Sequence, residues 1–593
     1  MLGLLLSSIA LASLSSATTT CKCLYNDSCF PTSAEWDAFS KNLSQPVIQN
    51  MLPMDAVCFP DSPSFDASMC AEVTANVVNP PFLTNQINAL GFVNLEALVV
   101  NGSVQYCPRP YSPGEKTCDQ GRIPKFAVNA TTVEDVQKTL QYATDHNLKL
   151  VVRNTGHELM GRSGGSNSLE LFMHNFKSIE FKQDFVPEGA PAGTASEYAV
   201  TLGSAVQWFE IYAAADAQNR LVPGGFSPDG TVGAAAGWLL GGGHSVLSPY
   251  YGLGVDNVLE FTAVLPNSTF VTLNKYKNPD LFWAFRGGGG PSFGIVLSAT
   301  YRTHENPPIT AVFYVASAND TDAYTQLLTT WMEQHNAIAD AGWAGVWPFL
   351  DNTFYLTFFT PGNPPTNPAA NATMEHWFSS SKAIPGVNVS LAMSKVYPSF
   401  QHWNLDNLVN SQNGYGFNWT AGGANTTATS SWLMPRNLTS AGNAAQMGRV
   451  FANLSVAVPY MVGGGAVAAV DADETAVTPA WRTSVSDMTV LPGFVTGGEG
   501  ALTVDVLDAM YQSAYDQIQP LRELAPPGLG GGQYLNEPDM LEQNWQAAYW
   551  GEGHYARLLA IKREVDPRDL LLVRRGVNSE EWDDEVLCKT TGS

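Results

Sequence analysis

Apolar residues recur at helical spacing through Val133, Val136, Leu140 and Ala143, behind Thr131 and Glu134, which have capping-box spacing. The pattern predicts a helix ending near His146 that feeds an apolar strand from Leu148 to Arg153. That strand breaks into a glycine-rich turn, Asn154-Thr155-Gly156-His157-Glu158-Leu159-Met160-Gly161-Arg162-Ser163-Gly164-Gly165. Backbone N–H groups at such a strand exit can approach an anionic ligand closely, because no side chain stands in the way. Ser204 and Gln207 repeat the capping spacing ahead of Val206, Phe209 and Tyr212, which predicts a helix to about Gln218 and a strand from Arg220 to Pro223. Small residues then dominate from Gly224 to Gly237 and through Gly241-Gly242-Gly243-His244-Ser245, a density that lets backbone pass beside a large flat ligand. A third glycine-dense unit runs from Asn278 through Phe285 into Gly287-Gly288-Gly289-Gly290 and on to Val296. Near the end, a helix through His554 and Lys562 stops before Asp566-Pro567.

At 593 residues the chain is long enough for two or three domains. Leu2 to Leu14 is a short apolar run followed by Ser15-Ser16-Ala17, which reads as a secretory signal cleaved near Ala17, too short for a confident membrane span. Of eight cysteines, seven precede residue 119 and Cys588 stands alone near the C-terminus. An even count in a secreted chain favours disulfides over metal ligation, and full pairing requires Cys588 to reach an N-terminal partner. About a dozen Asn-x-Ser/Thr sequons, among them Asn42, Asn129, Asn267, Asn371, Asn418, Asn437 and Asn453, agree with that compartment. The net charge of −24, without a cluster of Lys and Arg, argues against nucleic acid or an anionic membrane as partner.

The run Arg153-x-x-Gly156-His157-x-x-x-Gly161-x-Ser163 resembles the flavin-attaching loop of the berberine bridge enzyme-like branch of the vanillyl-alcohol oxidase superfamily. The segments at 224–256, 278–296 and 534–562 resemble that family's remaining cofactor segments. No strand-associated Gly-x-Gly-x-x-Gly with a following acidic residue supports a Rossmann site. The resemblance implies an α+β fold with a two-lobed PCMH-type FAD-binding domain and an α+β substrate domain built on an antiparallel sheet. The expected divisions are a signal peptide at 1–17, a disulfide-rich segment at 18–117, the FAD domain at 118–304, the substrate domain at 305–529 and a C-terminal segment at 530–593 that packs on the FAD domain.

The family resemblance also implies that FAD is bound covalently through His157. Arg153, Asn154, Thr155, Gly156, Gly161, Ser163, Gly225, Val232, Gly233, Gly237, Gly242, His244, Ser245, Val296 and Asn536 are the other expected cofactor-binding residues. Asp229 stands where many relatives carry a second flavin-linking cysteine, so a single link is expected. Val232 falls where a side chain near flavin C4a is associated with oxygen access, and valine there resembles the oxidases. Hydride loss from a C–H bond needs a base for the neighbouring proton; Tyr534 is the first candidate, although a phenol needs a cation or charged partner to serve at neutral pH. His554 is the second, standing where the family usually has asparagine; either it donates to the ring or an insertion at Gly551 to Gly553 moves it away. Leu159 replaces a tyrosine used by some relatives. The tryptophans from Trp331 to Trp481 fit sugar platforms or cores.

The reading is a secreted, monomeric oxidase that transfers hydride from an alcohol, sugar or related small metabolite to FAD and is reoxidised by O₂, with no metal, nucleic acid or membrane partner. The alternatives are oxidative cyclisation or dehydrogenation in secondary metabolism, or a flavin-free secreted binding protein.

Overall fold

The computed structural model describes residues 20–111, 117–227, 230–409, 426–491 and 502–590. The signal segment, Asp229 and Asn418 lie outside them. The first predicted helix is present as Val133–Asp145, but its cap is one residue later than expected. Thr132 caps it and Asp135 closes the box, while Thr131 donates its own N–H to the same carboxylate at 3.0 Å. Two adjacent threonines offer the same chemistry, and the register is decided by Asp135, which also accepts from Ser44 N at 2.8 Å. The second helix, Trp208–Ala217, is likewise boxed by Gln207 and Glu210, not by Ser204, with Gln207 N donating to Glu210 Oε2 at 2.7 Å.

The strand Lys149–Arg153 belongs to a four-stranded sheet with Ser168–Phe172, Phe126–Asn129 and Ile48–Gln49, in which the first three run parallel. A five-stranded antiparallel sheet follows in the order Phe270–Leu273, Val258–Val264, Ile295–Arg302, Glu197–Gly203, Ile179–Phe185. These two sheets are the two lobes of the α+β unit expected from the sequence. The third sheet has nine antiparallel strands between Ile309 and Val490; Ile309–Ala318 pairs with both Thr353–Pro361 and Val387–Tyr397. Trp331, Trp343, Trp347, Trp377, Trp403, Trp432 and Trp481 are fully buried and fill cores.

All eight cysteines are paired, as Cys21–Cys588, Cys23–Cys29, Cys58–Cys70 and Cys107–Cys118, and the first pair joins positions 567 residues apart. The C-terminal segment packs on the part of the chain that carries the first two sheets: Trp550 Nε1 donates to Gly287 O at 2.9 Å, Lys562 Nζ to Ser292 O at 2.8 Å, and Lys149 Nζ to Glu585 O at 2.6 Å. Among the described residues no helix is long and apolar enough to cross a membrane.

Arg153 differs from its expected role. Its side chain does not line the cavity; it packs under Gly156 of the turn, 1% exposed, and its Nε pairs with Glu170 Oε1 at 2.8 Å on the neighbouring strand. Its two terminal nitrogens donate to Ala89 O and Gln86 O at 3.0 and 2.7 Å, fastening the N-terminal segment to the strand. Arg153→Ala leaves the Glu170 carboxyl buried without its partner, charged or forced to take up a proton, and is expected to cost about 3–5 kcal/mol in denaturant unfolding. Removing both partners with Arg153→Met and Glu170→Leu should recover much of that loss; a single-mutant cost below about 1 kcal/mol would show that the pair carries no such tension.

Candidate active site

Where the strand ends, Gly156 takes φ +72°, a conformation that side-chain-bearing residues rarely adopt, and the chain turns so that His157 is exposed to a cavity. The turn is held from inside by Glu158. Its carboxylate accepts from Met160 N at 2.8 Å, Gly161 N at 2.7 Å and Ser163 Oγ at 3.1 Å. It is held from outside by two arginines: Arg122 donates to Gly161 O at 2.6 Å, and Arg162 donates to Leu535 O and Arg574 O at 2.9 and 3.1 Å. The loop is thus rigid without spending its own backbone donors on a ladder.

The cavity measures about 930 Å³, at the upper end of the size range of small-molecule sites. One wall is the N-terminal segment from Val77 to Thr84, and the opposite end is closed by Tyr534, Asn536 and Glu537. Asn154, Thr155, Gly156, His157 and Ser163 line it from the loop, Val232, Gly233, Gly237 and His244 from the second glycine-rich segment, and Val296 from the third. His157 Nδ1 lies 3.1 Å from Thr231 Oγ1. Gly237 faces open space into which even a Cβ would project without contact. Asn536 Nδ2 bridges Trp238 O at 3.0 Å and the Tyr534 hydroxyl oxygen at 2.8 Å. A cavity of this volume, bordered by three glycine-bearing segments and with the exposed imidazole of His157 on its lining, fits FAD. Asn154, Thr155, Gly156, His157, Ser163, Val232, Gly233, Gly237, Val296 and Asn536 would hold it, and the flavin supplies a two-electron acceptor.

Several expected cofactor residues do not reach the cavity. Gly161, Gly225, Gly242 and Ser245 shape the turns around it instead. Gly225 O accepts from Tyr212 Oη at 2.9 Å, and Ser245 Oγ accepts from Leu247 N at 3.1 Å. Gly242, at φ +119°, packs beside Val477. His554 does not reach it either: its Nδ1 lies 2.9 Å from Val477 O and its Nε2 3.0 Å from Asp473 Oδ1. Gly551, with φ +71°, kinks the helix Trp545–Val565, and His554 lies against the 473–477 segment.

Tyr534 is 2% exposed, and its ring stands edge-on to His244 at 4.7 Å and to Trp481 at 5.5 Å. Burial, with the nearby charges of Glu537 and Asp487 adding to it, pushes the phenol far above its ordinary range, and no cation offsets them. This phenol keeps its proton at neutral pH, which argues against the base role.

The sequence reading missed a cluster at this end of the cavity. His244 Nε2 lies 2.9 Å from Glu537 Oε1, and Thr489 Oγ1 donates to Glu537 Oε2 at 2.6 Å. Asp487, two residues along the same strand from Thr489, lies behind them. One ligating atom each of His244, Asp487 and Glu537 falls within 4.8 Å of the others. Three remote segments supply the cluster, so no local motif announces it. The same end carries an apolar wall of Leu350, Val456, Val458 and Leu491 from the nine-stranded sheet and its flank.

Residues 124–274 match the FAD binding domain family, and residues 533–578 match the family described as berberine and berberine like. An uncharacterized FAD-linked oxidoreductase of Arthroderma benhamiae is 32% identical, with 96% of each chain covered. The VAO-type flavoprotein oxidase VAO615 of Thermothelomyces thermophilus is 30% identical over 96% of this chain and 95% of its own. The crystal structure of the VAO-type flavoprotein MtVAO713 from Myceliophthora thermophila superposes with a TM-score of 0.83 at 27% identity, covering 97% of this chain and all of the other. With this fold, this cavity and these relatives, the chain belongs to the FAD-linked oxidoreductases of the vanillyl-alcohol oxidase type, in their berberine bridge enzyme-like branch.

Proposed function

We propose that the protein is a secreted oxidase with FAD attached through His157, taking hydride from an alcohol, sugar or related small metabolite and passing the electrons to O₂ to give H₂O₂. The observation that carries this reading is the exposed imidazole of His157, set by the Gly156 turn at the mouth of a cavity that three glycine-bearing segments border. Secretion is supported by the four disulfides and by the exposure of Asn26, Asn42, Asn101, Asn267, Asn319, Asn371, Asn388, Asn437 and Asn453, all sequon asparagines on the surface. A screen of the purified protein against sugars, alcohols and phenols with peroxide detection tests the activity as a whole.

The apolar wall favours a second reading, in which a metabolite with an extended apolar body is dehydrogenated or cyclised oxidatively. A product two hydrogens lighter that contains a new ring would favour it over simple alcohol oxidation.

His157→Ala should abolish covalent flavin while the protein still expresses. In-gel fluorescence after denaturation reads this directly, and a fluorescent band at the mutant's mass would place the link elsewhere. A peptide map should show flavin on one peptide only, so a second flavinylated peptide containing Asp229 would overturn the single link.

Val232 lines the cavity against Gly225 and is the residue we assign to oxygen access. Reduced wild-type enzyme should reoxidise rapidly in air, and Val232→Leu should slow that step by roughly tenfold with anaerobic reduction little changed. Slow reoxidation of the wild type in air, with fast turnover on an artificial quinone, would make the enzyme a dehydrogenase.

A further inference from the structure

Oxidation of a C–H bond beside an alcohol or amine releases a proton as well as a hydride, and the cavity must contain a group to take it. Tyr534 does not meet that need, and His554 is outside the cavity. Glu537 lines the cavity beside Tyr534, and both of its oxygens already accept hydrogen bonds, from His244 and Thr489. Asp487 is 0% exposed, and neither of its carboxyl oxygens has a hydrogen-bond partner; the Nδ1 of His244 has none either. Unpartnered carboxyl oxygens so deeply buried demand an explanation. Asp487 is faced by Glu537 and His244 of the cluster and by Tyr460, its cross-strand partner; Tyr534 stands edge-on to His244. No arginine or lysine forms an ion pair with either carboxylate among the described residues, where His244 is the one basic partner of Glu537.

Resting on the oxidoreductase reading of this cavity, we infer that Glu537 is the catalytic proton acceptor, and that Asp487 and His244 are positioning residues which tune it by sharing one proton with it across the cluster. Two carboxylates this close in a buried site do not both ionise. Burial, and then the charge of Glu537, hold Asp487 well above the usual carboxylate range, so the retained proton sits on Asp487. The pair therefore carries one negative charge at rest and none after reaction. In the step, the substrate's O–H or N–H bond breaks and its proton goes to a Glu537 oxygen. The adjacent C–H bond breaks and its electron pair leaves with the hydrogen to FAD, so the substrate carbon is oxidised by two electrons and the flavin reduced by two. His244, hydrogen-bonded to the same carboxylate, holds its orientation and gives the accepted proton a route away.

The arrangement has a signature that needs no substrate. A carboxyl whose folded-state pKa is raised stabilises the fold fully below its unfolded value near ~3.9, and this contribution is lost as pH rises through the folded value. Wild-type stability should therefore fall relative to Asp487→Asn as pH is raised above about 4. Infrared spectra of the holoenzyme at neutral pH should show the C=O stretch of a protonated carboxyl group that disappears in Asp487→Asn. With benzyl alcohol or glucose as probe, whichever reduces the flavin anaerobically, Glu537→Gln should slow reduction by roughly 10²-fold or more. Asp487→Asn should leave the acid limb of the pH profile in place, because Glu537 titrates beside an uncharged residue in both proteins, and should abolish the high-pH ionisation in which Asp487 loses its proton beside the charged Glu537. A merely structural role for Asp487 would change the rate and leave that high-pH ionisation in the profile.

An infrared band unchanged in Asp487→Asn overturns the shared proton, as does a stoichiometric transition-metal ion in the purified holoenzyme. A Glu537→Gln rate within a few-fold of wild type overturns the acceptor. If neither probe reduces the flavin, the fault lies with the alcohol-or-sugar reading, and the infrared and stability measurements decide the shared proton alone.

Discussion

A loop that must lay its backbone along a large flat ligand cannot also pack that backbone into a sheet, so something else has to hold it. Here the constraint is met by charge. Glu158 gathers the loop's own N–H groups, while Arg122 and Arg162 tie it outward to its own carbonyls and to the C-terminal segment. Charged side chains taken out of water to bond backbone groups are poor sources of net stability, because desolvation offsets most of what those bonds return. They are good at fixing geometry, since a displaced partner leaves an uncompensated charge. The ordering of the cavity, and through it the aim of His157, rests on that penalty.

The same logic explains the N-terminal segment. Arg153 uses its whole guanidinium to join two strands and two carbonyls of residues 86 to 89, which brings the Val77 to Thr84 stretch over the cavity as a wall. The reacting end inverts the pattern: its carboxylates are left without a cation, and electrostatic strain is kept where proton transfer can relieve it.

What could be read from the sequence follows from range. The three glycine-bearing segments, the helix into Lys149–Arg153 and the C-terminal helix were legible, because turn chemistry and periodicity are local properties. Capping pairs were placed one residue or more away from the true ones, because Thr131 and Thr132 are locally equivalent and tertiary partners choose between them. Arg153 was assigned to the cofactor because nothing nearby shows that Glu170 lies across the parallel pair on the same face. The kink at Gly551 was visible as an inserted glycine, but its direction was not. The cluster of His244, Asp487 and Glu537 could not be read at all: Asp487 sits in a strand buried along its whole length, and its neighbours lie some 50 and 240 positions away.

The disulfide between Cys21 and Cys588 and the wall supplied by residues 534 to 576 have a consequence for biosynthesis. The first cysteine of the described chain must wait for Cys588 before it can pair, and the cavity has no far end until residues 534 to 576 have been made. Neither event can begin on a nascent chain that stops short of those residues. Cofactor capture is thereby deferred to the last part of the described chain, and a product truncated before it lacks the surfaces needed to trap a flavin, so the bound cofactor reports on the presence of that part.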